Sequence, residues 1–206
     1  MFITLEGPEG SGKTTAVKAA VAKLKELGYE VVQTREPGGT PIAEQIRNVI
    51  LDKANTTMDP RTEALLYAAS RRHHLVEKVW PAIKEGKIVI CDRYLDSSLA
   101  YQGGARGLGV DNILNVNLFA TENTWPDLTL LFDIKPEIGL ARINANSNRE
   151  VNRLDLEKID FHNKVRQTFL DLAKRFQDRY VIIDASKSRE EVAKDTMDAI
   201  LSRLCK

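Results

Sequence analysis

The stretch MFITLEGPEGSGKTTA, residues 1–16, decides the fold, because an apolar run leads directly into a glycine-rich loop that ends in lysine and threonine. From Gly7 to Thr14 it matches the spacing G-x-x-x-x-G-K-[ST] without a gap. Glycines let successive backbone N–H groups turn inward, and the N-terminus of the following helix adds positive potential. The stretch therefore predicts a strand, a phosphate-binding loop and a helix, in that order.

Five short apolar runs recur along the chain: FITLE (2–6), YEVVQTR (29–35), KIVICD (87–92), LTLLFDI (128–134) and YVIID (180–184). Helical patterns separate them, and the longest runs from about 59 to 85, where Pro81 should kink or end it. Other helices are expected at NLFATEN (117–123), PEIGLARIN (136–144) and 156–176. This alternation predicts an α/β fold, a five-stranded parallel sheet covered by helices on both faces, as a single domain over residues 1–206.

Composition and charge argue against several classes of partner. A net charge of +1 over 206 residues gives no global field toward nucleic acid or an anionic membrane, and no apolar run is long enough for a membrane span. The first residues read as a strand rather than a secretory leader. Cys91 and Cys205 lack metal-site spacing, as is typical of reduced thiols. We expect a cytoplasmic protein that binds neither nucleic acid nor membrane.

The glycine loop predicts a site for a nucleoside triphosphate with Mg²⁺. Lys13 can reach the β- and γ-phosphates, while the Thr14 hydroxyl and the carboxylate of Asp92 are the expected metal ligands. No N-K-x-D motif of a small G protein is present, and KIVICD continues into Arg93 rather than the Asp-Glu of a motor ATPase. This favours transfer to a second bound nucleotide over hydrolysis. The expected ATP-binding set is Gly7, Pro8, Glu9, Gly10, Ser11, Gly12, Lys13, Thr14 and Thr15.

Three arginines fall where a second phosphorylated ligand can bind. Arg93 follows the carboxyl end of a strand, where open α/β sheets bind ligands. Arg47 lies in the helix after the turn REPGGT (35–40). Arg71 follows Tyr67 by four residues, so both share one helix face, where a ring and a guanidinium could bind a base. Any one of these arginines alone fits a solvated surface charge as well.

Five segments, in order, resemble the motif series of the bacterial thymidylate kinases. They are LEGPEGSGKTT (5–15), TREPGGT (34–40), TEALLYAASRR (62–72), VICDRYLDSSLAYQG (89–103), and RLD (153–155) followed by FHNKVR (161–166). The resemblance implies a P-loop NTPase fold that transfers the γ-phosphoryl group of ATP to dTMP with Mg²⁺, giving dTDP and ADP on the pathway to dTTP. It also implies a homodimer.

The resemblance further implies how the phosphate and sugar of dTMP are held. Arg93 and Arg47 would clamp the 5′-phosphate, since a planar fork matches a phosphate well. Tyr101 would crowd the 2′ carbon against a ribonucleotide hydroxyl. Glu9 resembles the family carboxylate near the 3′-hydroxyl, and Glu36 points into the same region.

The base contacts are implied in the same way. Arg71 would donate to a carbonyl of thymine, and Gln102 would face the ring N3–H and a carbonyl, because an amide offers one donor group and one acceptor. Tyr67 would stack on the ring, where the family more often has Phe. Ser97 and Ser98 would support the base directly or through water.

The arginine that some members carry inside the glycine loop is absent, because Gly10 occupies that position. The asparagine-rich stretch ARINANSNREVNRLD (141–155) contains Arg142, Arg149 and Arg153, and its composition predicts a mobile lid over about 142–153. We expect Arg149 and Arg153 to be the working pair in that lid. The expected catalytic set is Lys13, Arg93, Arg149 and Arg153.

Two alternatives stay open at the level of sequence. One is a kinase for another nucleoside or nucleoside monophosphate, which a different base preference would reveal. The other is a nucleotide-dependent switch or ATPase without an acceptor. It predicts ATP hydrolysis that does not depend on dTMP, and it leaves Arg47 and Arg93 without a role.

Overall fold

The computed structural model describes residues 1–145 and 153–205. One sheet has the order β2-β3-β1-β4-β5, and all four pairings between neighbours are parallel. Its strands are β1 (Phe2–Glu6), β2 (Val31–Arg35), β3 (Ile88–Asp92), β4 (Leu128–Asp133) and β5 (Tyr180–Asp184). The predicted five-stranded parallel sheet is confirmed. Because β1 and β3 are neighbours, the glycine loop and Arg93 emerge at the same edge.

Helices cover both faces of the sheet. They are α1 (Lys13–Glu26), α2 (Pro41–Leu51), α3 (Pro60–His74), α4 (Trp80–Lys84), α5 (Leu95–Ser98), α6 (Val110–Thr121), α7 (Pro136–Asn144), α8 (Ile159–Arg175) and α9 (Arg189–Leu204). π-helical stretches follow α3 at Leu75–Val79 and α5 at Leu99–Ala105, and Arg153–Leu156 forms a 3₁₀ turn. None of the helices in the described ranges has both the length and the apolar character to cross a bilayer.

The long helix expected from 59 to 85 is present with an interruption. Asp59 caps α3 by accepting hydrogen bonds from the backbone N–H groups of Arg61 and Thr62, both at 3.0 Å. The π-helical stretch Leu75–Val79 then joins α3 to α4, in which Pro81 lies in the first turn. Proline removes one backbone donor and clashes with the preceding turn, and a wider turn relieves both effects.

The helix predicted at NLFATEN (117–123) is present, but it ends two residues before that stretch does. The helix containing NLFATEN ends at Thr121, because Glu122 and Asn123 adopt left-handed backbone angles, with φ of +48° and +57°. The segment 95–105 is also helical, and none of the helices predicted from the sequence covers it. Its two adjacent glycines and lack of a clear apolar period hide a helix whose side chains mostly face the site or the core.

Two apolar cores lie on opposite faces of the sheet, since side chains alternate along each strand. Ile3 and Leu5 pack on the face covered by α1 and α9, whereas Phe2 packs on the face covered by α3, α6 and α8. Glu6 ends β1 as a fully buried side chain. A buried carboxyl group thus ends the strand that leads into the glycine loop, at the edge where the candidate site opens.

Candidate active site

A cavity of about 900 Å³ opens at the carboxyl edge of the sheet. Its wall includes residues 9–15 of the glycine loop, Asp92, and every residue that the sequence predicted to contact the acceptor. Gly7 and Pro8, which were also predicted to bind ATP, do not line the cavity; their backbone carbonyls accept hydrogen bonds from Lys13. The two halves of the predicted site therefore share one cavity.

The glycine loop is shaped by left-handed backbone angles and closed by Lys13. Gly10 has φ of +70°, and a Cβ there would overlap the backbone of Gly139. The Lys13 ammonium donates to the carbonyls of Gly7 at 2.9 Å and Pro8 at 2.8 Å, and to Ser11 Oγ at 3.0 Å. Burial and the neighbouring Arg93 charge lower the pKa of Lys13 to about 7. This buried cation needs negative charge nearby, which phosphate groups supply.

Two oxygen donors meet beside the loop. Thr14 Oγ1 donates a hydrogen bond to Asp92 Oδ2 at 3.1 Å, which joins the start of α1 to the end of β3. Both residues line the cavity. A hydroxyl and a carboxylate are ligands that a hard divalent cation prefers, so the pair suits Mg²⁺.

Arg93 stands where the two halves of the cavity meet. It directly follows β3 and adopts a left-handed backbone angle, with φ of +69°, which turns its side chain from the strand into the cavity. Its guanidinium donates to Ser97 Oγ at 3.0 Å and to Glu9 Oε1 at 3.2 Å, and lies 5.1 Å from the centre of the Tyr101 ring. These contacts fix the orientation of the guanidinium group, which faces the cavity.

Glu9 holds a negative charge at the same point. Burial opposes that charge, but His162, Arg93 and Tyr101 outweigh it and lower the pKa of Glu9 to about 2. The Tyr101 hydroxyl donates to Glu9 Oε1 at 2.5 Å, and His162 Nδ1 lies 3.5 Å from Glu9 Oε2. Glu9 is therefore an ionised acceptor in the middle of the cavity.

Arg71 is buried at the far end and anchored on all sides. Its side chain donates to Glu36 Oε2 at 2.7 Å, to Ser98 Oγ at 3.1 Å, to the carbonyl of Tyr94 at 3.0 Å, and to Asn117 Oδ1. Glu36 also bonds His74 Nδ1 at 2.9 Å. The role of Glu36, which the sequence left open, is thus to fix Arg71.

The remaining acceptor-side residues complete the wall. Arg47, on α2, donates to the carbonyl of Pro37 at 3.1 Å. Tyr67 is buried on α3, one helical turn before Arg71. Gln102 donates from Nε2 to Glu63 Oε1 at 2.8 Å. The cavity thus offers guanidinium forks, an aromatic ring and an amide for a ligand that carries both a phosphate and a flat base.

Comparison with known proteins agrees with this geometry. The model of the thymidylate kinase family matches residues 5–196. The chain belongs to the thymidylate kinase family. Thymidylate kinases of Bacillus velezensis and Clostridium novyi are 57% and 60% identical to it, over 100% and 93% of this chain and 97% and 93% of theirs. The crystal structure of thymidylate kinase from Ehrlichia chaffeensis matches with a TM-score of 0.78 and 33% identity, over 98% of both chains.

The arginines of the expected lid lie in different places. Arg142 lines the cavity and donates to the carbonyl of Ala185 at 2.9 Å. Arg149 and most of the segment 142–153 lie outside the described residues. Arg153 is buried, bonding Glu63 and the carbonyl of Ile50. Its assignment to the transferred phosphoryl group stays a prediction, and it requires the guanidinium to exchange these partners for phosphate.

Sequence reasoning about the thymidylate kinase motifs missed three buried residues of the site. Glu6 accepts from Tyr94 N–H at 2.8 Å and from Ser97 Oγ at 2.5 Å, so it braces the serine that holds Arg93. Glu63 holds Gln102, and His162 contacts Glu9. Two features of the sequence could have indicated the glutamates: Glu6 ends an apolar strand, and Glu63 lies four residues before Tyr67 on the same helix face.

Proposed function

We propose that the chain transfers the γ-phosphoryl group of ATP to dTMP, with ATP on the glycine loop and dTMP at the opposite end of the same cavity. The observation that carries this arrangement is the shared wall, formed by residues 9–15 on one side and by the arginines, Tyr67 and Gln102 on the other. A switch or ATPase needs only the first side. A kinase needs both, because its two substrates must meet in line.

The charges at the centre of the cavity suit phosphoryl transfer. Lys13 would contact the β- and γ-phosphates, while Arg93 and Arg47 would hold the 5′-phosphate of dTMP as bidentate donors. The dTMP phosphate is already an anionic nucleophile near neutral pH, so no general base is required. Fixed positive groups around the transferred phosphoryl stabilise the charge on its equatorial oxygens.

Thr14 and Asp92 would hold Mg²⁺. Their oxygens are 3.1 Å apart beside Lys13, and both are hard ligands that line the cavity. When bound, the ion would neutralise part of the charge on the phosphate groups.

Glu9 and Tyr101 would select a deoxyribonucleotide. Because its pKa is near 2, Glu9 is ionised at neutral pH and can accept a hydrogen bond from the 3′-hydroxyl. The Tyr101 hydroxyl is held by Glu9, which keeps its ring in one position. A ring fixed against the 2′ carbon would leave no room for a ribose hydroxyl.

Arg149 and Arg153 would complete the catalytic charge from a lid over about 142–153. The proposal is supported by Gly10, where the loop offers no side chain, and by the position of Arg153 in a short 3₁₀ turn next to the cavity residue Leu154. A lid of this kind also excludes water, so that ATP is not lost to hydrolysis.

A homodimer is proposed on the exposed apolar side chains of α3 and α6, two helices that pack against each other. Phe119 on α6 is 90% exposed, and Leu65 on α3 is 59% exposed. A single exposed leucine is ordinary, but a phenylalanine exposed to this degree is typical of a surface that a partner subunit covers. Phe119→Asp should convert the dimer to monomer in sedimentation equilibrium, and a variant that still sedimented as a dimer would argue against this face.

The acceptor preference tests the proposed function. ADP release with Mg-ATP would be measured without acceptor and with dTMP, dUMP, dCMP, the thymine ribonucleotide and thymidine. We expect turnover with dTMP far above the others. Equal release without an acceptor would indicate an ATPase, and turnover led by thymidine would contradict the placement of Arg47 and Arg93 on a 5′-phosphate. A cytoplasmic location is proposed as well, since both cysteines are free thiols.

A further inference from the structure

Glu63 is a buried carboxylate behind the base end of the cavity, and the proposed function gives it no role. It lies on α3, on the same face as Tyr67 and Arg71, and its side chain is 1% exposed. Within the described part of the chain it accepts hydrogen bonds from Gln102 Nε2 at 2.8 Å, Arg106 Nε at 3.4 Å, and Arg153 Nη2. A buried charge of this kind is costly unless it is paired, so its placement needs a reason.

The state of Glu63 determines which way the Gln102 amide faces. Burial opposes ionisation of Glu63, but hydrogen bonds from Arg153 and Gln102 and the charge of Arg106 outweigh burial and lower its pKa. An ionised carboxylate can only accept hydrogen bonds. Gln102 must therefore present its NH₂ group to Glu63, since the opposite orientation would place two acceptors in contact. The carbonyl oxygen of Gln102 then points away from Glu63.

That carbonyl oxygen is the acceptor that Gln102 has left for a ligand, since the NH₂ group already donates to Glu63. Gln102 lines the cavity, and within residues 1–145 and 153–205 no donor reaches its Oε1. Arg71 lines the same cavity with four of its five N–H groups used by described protein atoms, which leaves one N–H on Nη2. The wall thus offers a base one acceptor from Gln102 and one donor from Arg71.

We infer that Glu63 is a specificity-determining residue that rejects cytosine by fixing the orientation of the Gln102 amide. The inference rests on the proposed placement of the acceptor's base at this end of the cavity. Thymine presents a carbonyl oxygen at C4 and an N–H at position 3, which complement Arg71 and Gln102. Cytosine presents an amino group and a bare ring nitrogen, so donor meets donor and acceptor meets acceptor. Specificity then comes from repulsion of the wrong base as much as from attraction of the right one.

Glu63→Gln tests this role, because the new amide can accept from Gln102 or donate to it. Gln102 can then rotate and offer its NH₂ group to the ring nitrogen of cytosine. We expect the preference for dTMP over dCMP, measured as the ratio of kcat/KM values, to fall by about tenfold or more. This factor corresponds to the free energy gained when one hydrogen bond replaces a contact between two acceptors. The fall should come mainly from tighter dCMP binding, seen as a lower KM for dCMP and as a lower Kd in equilibrium dialysis. A merely structural role would weaken both nucleotides alike.

Two matched variants separate the effect from a general loss of charge or packing. Arg106→Gln removes a cation from Glu63 but leaves the Gln102 contact, so the ratio should stay as in the unmodified protein. The exchange variant, Glu63→Gln with Gln102→Glu, places a group that only accepts at position 102, whichever way it rotates. At alkaline pH, where the carboxyl group introduced at position 102 is ionised and cannot donate, this variant should restore the rejection of dCMP.

A fallback exists if Glu63→Gln does not fold. Glu63→Asp keeps the charge for the two arginines but withdraws the carboxylate from Gln102 by one methylene, and the ratio should still fall, by about threefold or more for a weakened hydrogen bond. An unchanged ratio in a folded Glu63 variant would overturn the inference, and so would an exchange variant that still accepts dCMP. If the unmodified protein does not phosphorylate dTMP, the proposed function itself fails, which is a separate result.

Discussion

Replacing Arg93 by glutamine should remove most of the acceptor-phosphate binding. Arg93 presents two donor nitrogens to the cavity wall, held by Ser97 at 3.0 Å and Glu9 at 3.2 Å, and a bidentate phosphate contact would engage both. Each hydrogen bond to a charged group contributes about 1.5–3 kcal/mol, so the pair contributes about 3–6 kcal/mol. At about 1.36 kcal/mol per factor of ten, the expected loss in kcat/KM for dTMP is roughly 10²–10⁴-fold.

The assay is steady-state ADP release against dTMP concentration at saturating Mg-ATP. Arg93→Lys keeps the charge but not the planar fork, so its kcat/KM should lie between those of the unmodified protein and Arg93→Gln. Arg175→Gln is the matched control, because Arg175 is an exposed arginine that pairs only with Asp111 at the surface among the described carboxylates, and it should leave activity unchanged. A kcat/KM for Arg93→Gln within about threefold of the unmodified protein would refute the reasoning. A threefold loss corresponds to much less free energy than one hydrogen bond to a charged group contributes.

Three further predictions concern buried groups and strained glycines. Burial and Asp96 raise the pKa of Glu6 from 4.5 to about 8, so its stabilising contribution is full below pH 4.5 and is lost as pH rises through 8. In the unmodified protein the free energy of unfolding in urea should therefore fall between these pH values, with a slope that approaches about 1.4 kcal/mol per pH unit for one proton. Glu6→Gln should make this slope shallower. An equally steep slope in the variant would contradict the raised pKa. ATP binding near pH 8 should be accompanied by uptake of a proton, because the pKa of Lys13 is about 7 and bound phosphates favour its charged form. Titration calorimetry in buffers of different ionisation enthalpy measures this uptake. No uptake would mean that the pKa of Lys13 is not lowered. Gly28→Ala should cost about 1–2 kcal/mol for its left-handed angle alone. Gly10→Ala should cost more, since its Cβ also overlaps the backbone, and equal costs in urea unfolding would argue against that overlap.

The sheet and the nucleotide loop could be predicted because their signals are local. The loop from Gly7 to Thr14 requires particular backbone angles at fixed spacing, and each strand is a short apolar run bounded by turn residues. The helical segment 95–105 could not be predicted in the same way. Its residues are placed by contacts with Glu6, Glu9 and Glu63, which lie 39 to 92 positions away in sequence.

The candidate site followed from the sequence only in part. The cavity brings together the residues predicted for the nucleotide loop and the acceptor, but their supporting partners are distant in sequence: Glu36 and Asn117 fix Arg71, and Glu63 fixes Gln102. For Arg153 the sequence and the structure differ: composition predicted an arginine of the lid, but its side chain bonds Glu63 in the structure. A buried ion pair depends on both partners, and no pattern along one segment contains that information.

Direct transfer of the phosphoryl group is the central claim, and its product tests it most directly. ATP labelled with ³²P at the γ position would be incubated with Mg²⁺ and dTMP, and the labelled products would be separated and counted beside the ADP formed. We expect the label to appear in dTDP, in one-to-one ratio with ADP, and not in inorganic phosphate. Label that accumulates in inorganic phosphate, at the same rate with and without dTMP, would contradict it.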